Sequence, residues 1–225
     1  MVRLLDHQLA DYFDSECPAG LLERLLLIIV RAYSAAHDSV WQNFAGPVAH
    51  DLMGYHLRAH VENGLGALEG AYPDITVAAV ANEGTEGRDG GHNHYEVSFR
   101  NTVLTASKIE TPSARITEAR FRQSLAEISQ IALFEAARTS SAGRVWASIV
   151  HGPGGPSDRT PGFAKVVFPD QSGSHVGRPH IDLFLRYPAL RPTYRDLPTD
   201  IDYLETDPRF LPGILPEDKP QDEGE

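Results

Sequence analysis

The chain has 225 residues, 41% of them hydrophobic and 23% charged, and a formal net charge of −11, the composition of an ordinary globular protein. So acidic a whole argues against nonspecific binding to a nucleic-acid backbone, which needs clustered cations, but leaves room for a small local anion site. One cysteine, Cys17, excludes an internal disulfide framework and a cysteine-based zinc site, and the longest apolar run, residues 25–30, is too short to span a bilayer.

The opening "MVRLLDHQLADYF" carries Asp6 and Asp11 and lacks a signal-peptide pattern, so a cytoplasmic protein without membrane association is expected. Residues 2–14 read as a short helix. Residues 19–46 read as a longer one, with Leu21, Leu22, Leu25, Leu26, Ile29 and Tyr33 at helical spacing and Pro47 breaking or restarting it. A third helix, about 48–71, carries Leu52, Tyr55, Val61, Leu65 and Leu68 and ends before Pro73. The pattern turns β-like at residues 74–82, and a flexible loop, "EGTEGRDGGHN", follows.

The next stretch, "HYEVSFRNTVLTAS", sorts best as a hairpin turning at Arg100 and Asn101. Tyr95, Val97, Phe99, Thr102, Leu104 and Ala106 then share a mostly apolar face. His94, Glu96, Ser98, Val103, Thr105 and Ser107 share the other, as a half-buried antiparallel pair requires. Residues 117–137 read as an amphipathic helix with Phe121, Leu125, Ile128 and Ala132 on its buried stripe. Strands are expected at 144–151, 163–169 and 180–188. From residue 188 onward come seven prolines and ten acids, which neither helices nor central strands tolerate. This part reads as an extended arm, with residues 202–215 able to pack on a surface.

The expected architecture is α+β: N-terminal helices packed with a mainly antiparallel sheet of about five strands, one central amphipathic helix and a C-terminal arm. Residues 1–187 form a single domain, helical over 1–72 and sheet-rich over 73–187, and 188–225 form the Pro-rich acidic arm. The charge is uneven. Residues 92–145 hold 7 Lys/Arg against 5 Asp/Glu, while residues 1–91 hold 5 against 13.

The hairpin supplies the main candidate for chemistry. A carboxylate near an imidazole orients the ring and favours its charged form, which suits general acid–base work, so His94 is assigned as acid or base and Glu96 as its orienting partner. The competing reading is a solvent-facing strand surface that is polar because water lies against it. His151, at a strand end, is placed where it could face the same site as a second acid–base group, against a plain cap or loop role. Arg115 and Arg122 could hold phosphate through their planar guanidinium forks, or pair with nearby acids. His175, Arg178 and His180 carry the same ambiguity. His56 and His60, four apart on one helix face, could ligate a metal, but the residue after His56 is Leu57 rather than the glutamate of a metalloprotease. Arg58 and Glu62 read as a helix ion pair. The Gly/Pro-rich 151–162 stretch lacks the Gly-Lys-Ser/Thr ending of a phosphate loop. No nucleophile elbow, dinucleotide fingerprint or Glu-x-Lys nuclease pattern is present.

At "LTAS" (104–107), "ARFRQSLAE" (119–127) and "HGP" (151–153) the chain resembles an uncharacterised actinobacterial protein group. Its genes lie beside regulators with a helix-turn-helix or an ImmA/IrrE-type domain, as in toxin–antitoxin modules. The resemblance implies a toxin-like role and an antitoxin or regulator as protein partner; it carries no active site. The leading expectation is the toxin-like effector of a toxin–antitoxin or phage-defence pair, an enzyme acting on RNA or a nucleotide without metal or cofactor. His94, Glu96, Arg115, Arg122 and His151 would form its site. The alternatives are a noncatalytic protein-interaction module and a small metal-dependent hydrolase using His56 and His60.

Overall fold

The computed structural model describes residues 2–81, 93–116, 122, 125–126, 145–153, 159–170 and 172–191. Three helices come first: α1 (Val2–Glu16), α2 (Leu21–Trp41) and α3 (Gly46–Gly66). α2 starts at Gly20, whose φ of 78° is cheap only for glycine. It buries Leu21, Leu22, Leu25, Leu26, Ile29, Tyr33 and Ala36 as one stripe. It ends at Trp41, earlier than its apolar pattern suggests, and α3 begins with Pro47 in its first turn, where a missing N–H costs nothing. α2 and α3 pack side by side, and α3 buries Leu57, Val61 and Leu65.

The strands are β1 (Ile75–Ala81), β2 (Asn93–Phe99), β3 (Thr102–Lys108), β4 (Val145–Gly152), β5 (Phe163–Val167) and β6 (His180–Asp182). They form one sheet in sequence order. The hairpin between β2 and β3 turns at Arg100 and Asn101, with Phe99 opposite Thr102 and Val97 opposite Leu104. Arg100 takes a positive φ of 46°, and its guanidinium reaches the Ser15 carbonyl at the end of α1 (3.3 Å) and Glu16 (3.4 Å). Every described pairing is antiparallel except β3 with β4, which is parallel. A parallel pair needs a crossover, and residues 109–144 supply it. The architecture is therefore α+β with a mixed sheet of six strands. The strand expected at 180–188 stops after three residues because Asp182 caps a helical turn, α4 (Leu183–Arg186), accepting from the amides of Phe184 (3.0 Å) and Leu185 (3.1 Å).

One sheet face packs on the helices. Phe13 of α1 meets Phe99 and Phe168 edge-on, with ring centroids 5.7 and 5.6 Å away, and Val97, Leu104, Ala147, Ile149 and Val166 join the same core. On the other face the crossover packs: Leu125 and Ala126 lie with Val103 and Trp146, and Ile109 and Ile116 with Val150, Phe163 and Val167. β4 is consequently buried along its whole length. Arg122, Leu125 and Ala126 are helical, as expected for 117–137. The rest of that helix, the 82–92 loop and the arm beyond 191 lie outside the described residues. No helix among the described residues is long and apolar enough to cross a membrane.

Gly152 closes β4 where the backbone of Ile109 passes, and any Cβ there would overlap the Ile109 carbonyl oxygen and the Phe163 ring. Gly152→Ala is expected to cost about 1–3 kcal/mol, while Gly70→Ala, with open space around it, stays within about 0.5 kcal/mol. Denaturant unfolding of both variants checks this, and equal midpoints would refute it.

Candidate functional site

Strand alternation puts His94, Glu96, Thr105 and Ser107 on the sheet face away from α2. His94 Nε2 lies 3.3 Å from Glu96 Oε1, and the His94 ring is almost wholly covered. The two hydroxyls turn away from this pair toward β4. Trp146 Nε1 donates to Thr105 Oγ1 (3.1 Å), and Ser148 Oγ bonds Ser107 Oγ (3.1 Å), with Thr105 Oγ1 3.5 Å from Ser148 Oγ. Thr105, Ser107 and Ser148 are all buried.

The reason lies in the backbone. The described ladder between β2 and β3 ends at Val97 and Leu104, although both strands continue. The amides of Val145 and Ile109 bond Asn101 and His151, so odd-numbered positions of β3 serve β4 and even ones serve β2. It follows that Tyr95 and Asn93 point their main-chain groups at the gap between β2 and β3. α3 fills their valence: Glu62 Oε2 accepts from the Tyr95 amide (2.7 Å), and Arg58 Nη2 donates to the Asn93 carbonyl (3.1 Å). The pair expected to be a helix ion pair, whose charges do act on one another, also caps the inner edge of β2. The signal was their position, four apart and beside the buried stripe of Leu57, Val61 and Leu65, where a charged side chain is held for a purpose or not at all.

Arg122 of the crossover joins this cluster. Burial and the neighbouring Arg58 push its guanidinium down to about 10, against the pull of Glu62, so it stays a cation at neutral pH. Burial raises the Glu62 carboxyl, while the Tyr95 amide, Arg58, His94 and Arg122 lower it. Arg58, His94 and Arg122 thus all act on Glu62, and Arg58 also acts on Arg122, with Glu96 bound to His94.

The remaining sequence candidates fall elsewhere. Arg115 is exposed on the segment after β3, and among the described residues the charges acting on Arg122 come from Arg58 and Glu62. His151 does not share a face with His94. Its register partner is Lys108, in line with Leu104 and Ala106, so it points at α2. There its Nδ1 lies 3.3 Å from the Tyr33 hydroxyl, with the rings edge-on at 5.8 Å. Parity explains the difference: one intervening strand, β3, and its parallel register with β4 separate the histidines, and neither is visible from sequence spacing. His56 bonds the Ser39 hydroxyl (3.0 Å), and His60 is held low by burial and by His56. Among the described residues no three His, Cys, Asp or Glu side chains cluster as a metal site would need. His175 Nε2 donates to the Pro112 carbonyl (3.2 Å) and ties segment 109–116 to the loop after β5, His180 is exposed and Arg178 half-buried.

Comparison with known proteins yields no match to a protein family, to a curated protein or to a solved structure.

Two outcomes follow from this geometry. Glu62→Ala leaves the buried-side Tyr95 amide unbonded and is expected to cost about 1–3 kcal/mol. Glu62→Gln, whose carbonyl still accepts, recovers most of that, and equal losses in chemical unfolding would rule the capping role out. Secondly, burial first and Lys108 second push His151 down to about 4 from an ordinary 6.5. The unfolded chain then binds the extra proton between pH 6.5 and 4. The contribution of His151 is full above pH ~6.5 and is lost as pH falls toward 4, by at most on the order of 2–3 kcal/mol. His151→Gln is expected to flatten unfolding free energy against pH in that window, and an unchanged slope would contradict it.

Proposed function

We propose that the parting of β2 and β3 is an acid–base centre for a phosphate-bearing substrate, and that the chain is a toxin-like effector directed at RNA or a nucleotide. The observation that carries this is the 3.3 Å contact between His94 and Glu96, with His94 and two guanidinium groups, Arg58 and Arg122, all acting on Glu62. A carboxylate on one ring nitrogen fixes the tautomer and steadies the imidazolium once it forms. Arg122 is half-buried beside a second cation, and its planar fork suits a phosphate oxygen pair.

In this reading His94 takes a proton from the attacking hydroxyl, a ribose 2′-OH or a water. That oxygen forms a bond to phosphorus, the bond to the leaving oxygen breaks, and the imidazolium returns the proton to it. One histidine serves both steps, since His151 lies on the other face. Arg122 and Arg58 take the roles first assigned to Arg122 and Arg115. The resemblance at "LTAS", "ARFRQSLAE" and "HGP" supports the effector role and a regulator-like protein partner.

The test is incubation of the purified chain with total RNA and with nucleoside triphosphates, in buffer containing EDTA. Cleavage or hydrolysis should survive the chelator. It should fall about 10²–10⁴-fold in His94→Ala and less in Glu96→Gln, with the melting temperature held. Undiminished turnover in folded His94→Ala would end the assignment, and turnover abolished by EDTA would favour a metal-dependent hydrolase.

A further inference from the structure

The two edges of the sheet are unlike. β6 is three residues long and runs straight into the capped turn of α4, a short and blunted edge. β1 is seven residues, "ITVAAVA", with no charge, no proline and Thr76, Ala78, Ala79 and Ala81 exposed. By the register already described, Thr76, Ala78 and Val80 turn their main chain to Ser98, Glu96 and His94 of β2. Val77, Ala79 and Ala81 therefore turn theirs outward, and among the described residues no strand pairs there. The Ile75 amide is taken by the Tyr72 carbonyl (3.3 Å). Native sheets usually guard such an edge with lysine, proline or a bulge.

We infer that β1 is the association edge of a homodimer, pairing antiparallel with β1 of a second copy about a two-fold axis through Ala78. The strand's own side chains select this occupant. In that register Val77 lies opposite Ala79, Ile75 opposite Ala81, and Thr76 opposite Val80, so each β-branched residue meets a smaller or equal one. Ala78, small enough for the close approach at the axis, meets itself. With no charge in the strand, no like pair is brought face to face, which is the usual cost of a self-complementary contact. Centring on the middle residue lets the whole strand pair, and the result is one continuous sheet across both copies.

The full-length chain is expected to sediment as a dimer at micromolar concentration. Ala79→Pro removes an N–H that points away from β2, so the ladder inside the protomer survives. It should raise the dissociation constant at least about tenfold, the worth of one or two main-chain hydrogen bonds. Should that variant lose its native circular dichroism, Ala79→Lys, which places an exposed ammonium opposite Val77 of the second copy, makes the same test. Register is read by cysteine pairing. At the axis the Cα atoms of a non-hydrogen-bonded pair stand roughly 4.5 Å apart, within disulfide reach. Ala78→Cys should give an oxidised, covalent dimer and Thr76→Cys should not. The native Cys17 stays out of this chemistry, its thiol pushed up to about 12 by burial. A monomer at every concentration reached would overturn the inference, including one whose β1 amides are protected by the chain's own 192–225 segment. So would a dimer indifferent to Ala79→Pro and Ala79→Lys, or Thr76→Cys linking as readily as Ala78→Cys.

Discussion

A single carboxylate decides how the sheet is used. Where β2 and β3 part, the Tyr95 amide and the Asn93 carbonyl lose their strand partners, and for the part-buried Tyr95 amide an unmade hydrogen bond is costly. Glu62 and Arg58, one turn apart on α3, supply an acceptor and a donor at that place. The split is thereby held open without leaving the backbone unsatisfied. The opening matters because charge gathers beside it: among the described residues Glu62 draws on Arg122, and Arg122 and His94 both act back upon Glu62. His94 and Glu96 stand on the strand that the helix holds away from β3.

The sheet face opposite α2 shows the same partition on a larger scale. Val103, Trp146, Leu125 and Ala126 make one apolar cluster there, and Ile109, Ile116, Val150, Phe163 and Val167 another. Between them run Thr105, Ser107 and Ser148, buried and bonded to one another and to Trp146. A hydroxyl chain of this kind adds little net stability beyond what an apolar filling would give. Any break in it leaves a buried polar atom unpaired, so it pins the β3–β4 register.

Much of the fold was legible because one-face burial leaves a period in the sequence. The stripe of α2, the hairpin about Arg100 and Asn101 and the sorting of its two faces all follow from spacing alone. Three things did not. The parallel β3–β4 pairing depends on where a long crossover lands, and β4, buried on both faces, has no alternation to read. That loss propagated to the site: without the register, His151 could not be assigned to the α2 face, nor Thr105 and Ser107 to Ser148 and Trp146. Arg58 and Glu62 were read as an ion pair and not also as caps, because spacing four apart fits both and only the end of the β2–β3 ladder shows the capping. His94 and Glu96 were legible as a pair because strand spacing alone brings residues two apart onto one face.

The two borders of β2 are held by different means, and that bears on how its histidine is positioned. On one side β2 is matched residue for residue with β1, Val80 beside His94 and Ala78 beside Glu96. On the other, three register pairs give way to two side chains of α3. The His94–Glu96 end of β2 therefore takes its main-chain support from β1 and from Arg58 and Glu62, and not from the continuous β3–β5 part of the sheet. Whatever stiffens β1 stiffens that end, and whatever shifts α3 moves it relative to Thr105 and Ser107. A strand gripped on its outer side by a second protomer would fix the first of these supports and leave α3 as the element able to widen or narrow the split.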